Sequence, residues 1–323
     1  MPSATARAGA NIALVKYWGK RDARLNLPAA GSISITLADL LTRTTVSPLA
    51  DLDDDELLLA GQPVSAERIV PVLERFRALA GSDLRCRVET ANSFPTGAGL
   101  ASSASGFAAL VVAADAAFGT ALDAARLSEQ ARLGSGSAAR SIFGGFVEMA
   151  AGQRDDGTDA VAQPLLDAAG WPLEVVVAIT EAGTKSVSST DGMNLTMQTS
   201  PYYRAWVDSV PADLDQVRQA IAAKDFEQLG EVAEGSALKM HASALAARPG
   251  LIYWNPATIA CLHEVRALRA AGTGVFFTVD AGPQVKAVCL PGEGARVARH
   301  LAGIDGVEKV IETRLGPGAG VEA

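Results

Sequence analysis

One stretch limits what this chain can fold into more than any other. "SFPTGAGLASSASG", Ser93 to Gly106, runs without a break into the apolar "FAALVVAADAAF". Glycine in this density costs conformational entropy on folding. The first N–H groups of a helix lack intrahelical partners, and the helix dipole favours negative charge there. Two readings are open at this point. The loop is a phosphate cradle at a helix N-terminus, or it is a serine-capped turn. The Lys-Ser/Thr ending of a Walker A loop is absent. "GAGLAS" has serine where the dinucleotide fingerprint needs a third glycine, and no Gly-x-Ser-x-Gly elbow occurs.

The rest of the chain places this loop in a mixed fold. "NIALVKYW", "ISITLADLLTRTTVSPL" and "LRCRVETANSF" read as strands. So do "GFVEMA", "LEVVVAIT", "GVFFTV", "KAVCLP" and "VEKVIETRLG". "SAERIVPVLERFRALAG" reads as a helix capped by Ser65 and closed by Gly81. Further helices are expected over "LASSASGFAALVVAADAAFG", "DAARLSEQARLG", "SGSAARSIFG" and "EGARVARHLAG". One more is expected over the long segment from "ADLDQ" to "HASAL", and another over "NPATIACLHEVRALRAAG". The polar segment from Glu181 reads as loop plus helix start, and "AGQRDDGTDAVAQ" as a hairpin turn or loop. Strands and helices alternate without the even rhythm of a doubly wound sheet.

Composition narrows the function. The 323 residues suffice for one large or two ordinary domains, and 49% are hydrophobic. A net charge of −8 argues against general nucleic-acid binding. No stretch has the ~20 apolar residues of a membrane span, and the N-terminus lacks a signal-peptide core. Cys86, Cys261 and Cys289 are too scattered for a disulfide framework or a zinc site, which fits a reducing cytoplasm. His241, His263 and His300 have no metal-ligand spacing.

Three further segments carry groups suited to an anion, the first two also readable as a solvated strand end and a helix cap, and one strand ends on an aspartate. "NIALVKYWGKRD" sets Lys16, Lys20 and Arg21 beside Asn11 and Tyr17, and Lys16 and Lys20 share a side if the segment is extended. "RLGSGSAARS" offers Ser135, Ser137 and the guanidinium fork of Arg140. "KSVSSTDGMN" offers Lys185, Ser188, Ser189 and Thr190. "TVDAGPQ" ends an apolar strand on Asp280, either a turn residue or a desolvated base or orienting group. Together these favour phosphoryl transfer from a nucleotide to a small anionic substrate.

In order and spacing, "NIALVKYWGKRD", "SFPTGAGLASSASG", "GSGSAARSIFGGFVE", "SSTDGMN" and "FTVDAGPQ" resemble the diphosphomevalonate decarboxylases. That family lies within the superfamily of galactokinase, homoserine kinase and mevalonate kinase. The resemblance runs from Asn11 to about Lys286. It implies an α+β chain of two domains. Residues 1–170 would be like the second domain of ribosomal protein S5 and bind ATP. Residues 171–323 would be ferredoxin-like, with the active site in the cleft between. It also implies ATP, Mg²⁺ and mevalonate 5-diphosphate as ligands, and a cytoplasmic homodimer.

Carried onto this chain, the resemblance puts the ATP phosphates against Pro95, Gly97, Gly99, Ser102, Ser103 and Ser105, with Mg²⁺ at Ser103. Asp280 and Lys16 would lie at the substrate's tertiary hydroxyl. Arg140 and Asn11 would face its carboxylate, with Ser135 and Ser137 also binding substrate. Tyr17, Lys20, Arg68, Ser188 and Ser189 would hold the diphosphate. Two departures from the family pattern stand out: Gln284 where "DAGPN" is usual, and Asp191 where some members carry arginine. Relatives acting on the 5-monophosphate, or only phosphorylating the hydroxyl, share much of this pattern.

Overall fold

The computed structural model describes residues 1–94, 102–181, 183 and 187–322. Pro95, Gly97, Gly99 and Lys185 therefore lie outside the described residues.

The first half is organised around one long strand. β1 (Ala4–Val15), β2 (Lys20–Asp22) and β3 (Leu27–Pro28) are followed by β4 (Ser32–Leu49). β4 pairs antiparallel with β1 along most of its length. Then come β5 (Glu56–Leu59), β6 (Gln62–Val64), α1 (Val70–Ala80) and β7 (Arg85–Asn92). α2 (Ser102–Phe118), α3 (Ala124–Gly134), α4 (Ala138–Ser141), β8 (Phe146–Met149) and β9 (Ala162–Leu166) complete this half. The far half of β4 pairs with β7 and the near half with β8, so one strand carries two branches of the sheet. The β1–β4 register slips between Gly9 and Asn11, the kind of break that re-aims a side chain.

α2 is apolar on all sides and central. Twelve of its seventeen residues are buried, which suits a helix enclosed by sheet and neighbouring helices. It packs on β1 and β4 among Ala6, Ala8, Phe76 and Val88. α1 does not start where a Ser65 cap would put it. It begins at Val70 after Ile69, with proline in its first turn and no side-chain cap. Gly81 closes it with φ +61°, a conformation that favours glycine.

The second half contains β10 (Glu174–Ile179), α5 (Ser189–Thr199), α6 (Tyr203–Ala223), α7 (Phe226–Leu245) and α8 (Pro256–Ala270). β11 (Val275–Val279), β12 (Val285–Cys289), α9 (Gly294–Ala302), β13 (Lys309–Arg314) and β14 (Gly320–Val321) follow. Its antiparallel sheet has the order β11-β12-β10-β13. That is the ferredoxin-like pattern, in which the first and third strands lie side by side at the centre. The helix expected from "ADLDQ" to "HASAL" is two helices. Lys224 turns the chain at φ +54°, and the Asp225 carboxylate accepts from Gln228 N to start α7.

The halves share a core. Ile12, Leu14, Ile33 and Ile35 of the first sheet pack in one cluster with Val175, Val177, Val210 and Met240. The chain also crosses back at its end, since β14 pairs with β1. The last residues therefore belong to the first sheet, although they follow the second in sequence.

Candidate functional site

A cleft of about 510 Å³ opens where the two sheets meet. The segment after β1 contributes Lys16, Tyr17 and Lys20, and α4 contributes Arg140. The loop from α3 to α4 brings Ser135 and Ser137. Asp280, at the end of β11, comes from the opposite half, and Ser188 and Ser189 come from the start of α5. Asn11, Arg68, Ser102 and Ser103 complete the set of expected residues that line it.

The centre of the cleft is a buried ion pair. Lys16 Nζ donates to Asp280 Oδ1 at 2.7 Å and to the Ala13 carbonyl at 2.8 Å. Lys16 is 2% exposed, while the Asp280 side chain keeps 25% of its area open. Burial pulls the Lys16 ammonium down to about 8 against the opposing pull of Asp280. Burial pushes the Asp280 carboxyl up, but Lys16 and Lys286 outweigh it and hold the group well below the usual carboxylate range.

Arg140 is anchored from behind. Its Nη1 donates to Ser32 Oγ at 2.6 Å and its Nη2 to Asn11 Oδ1 at 3.1 Å. Asn11 in turn donates to the Ser137 carbonyl and to Ser141 Oγ. Nε of Arg140 is buried without a hydrogen-bond partner, as is the Tyr17 hydroxyl. Buried donors left unpaired are costly, and both residues line the cleft. The Arg140 guanidinium lies 5.9 Å from the Tyr17 ring centroid. Gly136 permits this approach, since a Cβ there would meet the Tyr17 hydroxyl and come within 2.6 Å of its Cζ.

At the outer end, burial and the Arg68 guanidinium pull the Lys20 ammonium down. Arg68 stacks 5.2 Å from the Phe107 ring centroid. Ser188 caps α5 by accepting from Asp191 N at 3.1 Å, and its hydroxyl donates to Asp191 Oδ2 at 2.6 Å. The acid expected beside the diphosphate site is thus tied to its own helix cap.

Ser102 and Ser103 also border a second cavity of about 220 Å³, with Leu57, Leu59, Val88 and Leu110 as apolar walls and Thr42, Thr44 and Asn92 as polar points. Arg68 is common to both cavities. Ser105 is placed differently from the expectation. It is fully buried and shares a 2.7 Å hydrogen bond with Thr42 Oγ1, facing the sheet rather than the cleft. Ser103, two residues earlier, is the exposed serine at this end of α2.

Comparison with known proteins gives the family. A model of the diphosphomevalonate decarboxylase-like N-terminal domain matches residues 8–162. A model of the mevalonate 5-diphosphate decarboxylase C-terminal domain matches residues 175–317. The chain belongs to the diphosphomevalonate decarboxylase family. A diphosphomevalonate decarboxylase of Aspergillus fumigatus is 38% identical over 94% of this chain and 80% of its own length. Mevalonate diphosphate decarboxylase from Staphylococcus aureus superposes with a TM-score of 0.93 at 38% identity, covering 99% of this chain and 98% of that one. MDDEF, solved in complex with MVAPP, AMPPCP and magnesium, superposes at 0.91 with 40% identity, covering 99% and 98%. The two departures noted in this family member have local explanations. Gln284 is buried, accepts from Thr180 N and donates to the Glu181 carbonyl, so its extra methylene is used to tie β12 to the end of β10. Asp191 pairs with Ser188, as above.

Two residues at the site escaped the sequence reading. Lys286 Nζ lies 3.2 Å from Asp280 Oδ2. A lysine inside the apolar strand "VKAVC" was the available signal. His241 is buried, and burial pulls its imidazole down to about 3. Trp254 Nε1 donates to its Nε2 at 3.3 Å, and the neutral ring lies 4.5 Å from the Trp254 ring, centroid to centroid. His263 and His300 are on exposed helix faces.

Proposed function

We propose that this chain is an ATP-dependent decarboxylase that converts mevalonate 5-diphosphate to isopentenyl diphosphate. One observation carries the reading. A carboxylate paired with a buried lysine faces the same cleft as an arginine whose Nε lacks a partner. The substrate has a tertiary hydroxyl and a carboxylate on the same carbon skeleton, and these two groups need those two partners. Family membership favours this reading over a 5-monophosphate decarboxylase or a kinase without decarboxylation.

The second cavity supports a place for the nucleoside of ATP, because it pairs apolar walls with a few polar points. Ser102 and Ser103, at the N-terminus of α2, would meet its phosphates. Among the described residues no cluster of acidic, histidine or cysteine side chains could hold a metal. That fits Mg²⁺ carried mainly by phosphate oxygens and waters, with the Ser103 hydroxyl as the protein's contact. The ion would neutralise charge on the phosphates.

Asp280 orients the 3-hydroxyl and receives its hydrogen bond, while Lys16 stabilises charge on the transferring phosphoryl group. The γ-phosphoryl passes to the hydroxyl oxygen, ADP leaves, and the hydroxyl proton passes to the Asp280 carboxylate and on to water. Phosphate then departs from C3 with the C–O electron pair. The bond to the carboxylate breaks, its electrons form the alkene, and CO₂ leaves. Arg140, held by Ser32 and Asn11, keeps the carboxylate in line for that step. The Asp280 charge favours the cationic carbon as it develops. Lys20, Tyr17, Arg68, Ser188 and Ser189 would hold the diphosphate, with Ser135 and Ser137 contacting substrate.

We further infer a division near residue 170, supported by the gap between β9 and β10, and a homodimer, supported by the family resemblance. Three buried thiols fit a cytoplasmic location, and no described helix is long and apolar enough to cross a membrane. The test is a paired assay with ATP and Mg²⁺, following ADP and CO₂ together. Equal release with mevalonate 5-diphosphate is expected. ADP without CO₂ would overturn the decarboxylase reading.

A further inference from the structure

Asp280 is gripped from two sides. Lys16 reaches Oδ1 from the segment after β1, and Lys286 reaches Oδ2 from the neighbouring strand. Lys286 sits on β12 between Thr278 of β11 and Val177 of β10. Its side chain is 2% exposed and stands behind Asp280, outside the cleft wall. The strand around it is apolar, with Val285, Ala287 and Val288 all buried. An ammonium in that setting is costly unless a counter-charge answers it. Packing alone would be better served by leucine or methionine.

The two lysines have different duties. Lys16 lines the cleft, so substrate anions compete with Asp280 for its charge. Lys286 does not line the cleft, so an anion bound there would not compete with Asp280 for its charge in the same way. We infer that Lys286 is a positioning residue for the reaction, fixing the plane of the Asp280 carboxylate and balancing its charge while Lys16 serves the substrate. The inference rests on the decarboxylase reading above.

The charged and titratable groups around the pair come from four elements. Lys16 follows β1, Lys286 is on β12, Arg140 is on α4 and His241 is on α7. His241 is neutral across the working range. Removing the Lys286 charge should raise the proton affinity of Asp280. It should also raise that of Lys16, which Lys286 holds down by like-charge repulsion. Both changes move the pH profile the same way.

The experiment measures kcat and KM against pH for the full chain, with Lys286→Met, Lys286→Gln and Lys286→Arg beside the wild type. For the Met and Gln variants we expect kcat to fall by about 10-fold or more. The KM for ATP should stay close to the wild type. The alkaline limb should move to higher pH by about half a unit or more. Lys286→Arg keeps the charge and should recover most of the wild-type profile. A merely structural role would lower the folded fraction without moving the limb. An alkaline limb in Lys286→Met that superimposes on the wild type would overturn the inference. If Lys286→Met does not fold, Lys286→Gln keeps a donor of similar reach and is read the same way. Should the wild type release ADP without CO₂, the decarboxylase reading fails instead.

Discussion

Lys16 Nζ lies 2.7 Å from Asp280 Oδ1, although 264 positions separate the two residues along the chain. One follows a strand of the first sheet and the other ends a strand of the second. The pair exists only because the sheets share a core.

Asp280→Asn should keep nucleotide binding, at a cost in stability because two buried ammoniums lose their counter-charge, yet lose turnover by roughly 10²- to 10⁴-fold, the range for a positioned acid–base group. Amide and carboxylate have the same shape, so the loss isolates the charge. Simultaneous ADP and CO₂ assays, with nucleotide affinity measured by calorimetry, check this. Near-normal turnover would remove Asp280 from the reaction.

Turnover should fall on the alkaline side with a midpoint near 8, where burial has placed the Lys16 ammonium. The sign follows from the active form. The charged lysine is needed, its affinity for the proton is lowered, and activity is present below the midpoint and lost above it. A kcat profile against pH reads this directly. A flat profile through that region would show that Lys16 charge is not required.

Arg140→Lys should lower kcat/KM by about 10- to 100-fold, the worth of one lost charge-assisted hydrogen bond. An ammonium cannot span Ser32 and Asn11 and still offer a second donor to the substrate. Steady-state kinetics on the purified variant decides it. Unchanged constants would place the substrate carboxylate elsewhere.

Gly136→Ala should raise the KM for mevalonate 5-diphosphate while leaving thermal stability near the wild type. The new methyl would displace the Tyr17 ring that shares the cleft with Arg140. A drop in melting temperature with unchanged KM would mean that the loop, rather than Tyr17, yields.

Far from the cleft, Asp55→Ala should cost about 3–5 kcal/mol of stability, because it strands a buried guanidinium. Both Asp55 oxygens accept from Arg77 at 2.9 Å, and Oδ1 also accepts from Cys86 N. Urea unfolding measures the loss. The ratio of CO₂ to ADP should not change, since neither residue borders the cleft.

Much of the fold was legible because its signals are local. Alternating strands, the apolar run of α2 and the left-handed Gly81 each depend on a few neighbouring residues. Local signals also misled. The helix expected from "ADLDQ" onward begins earlier, at Tyr203, and runs through Pro211. The break before α7 falls on Lys224, a residue with no turn signature of its own.

The sequence by itself determined which chemical groups the cleft would contain, since Lys16, Arg140 and Asp280 stand in motifs whose order specifies the family. Tertiary structure alone decided which of those groups touch. It gave Asp280 a second lysine, paired Asp191 with Ser188 and turned Ser105 into the core. Charge balance in a buried site depends on distances across the sheets, and those distances are set by packing between segments hundreds of residues apart.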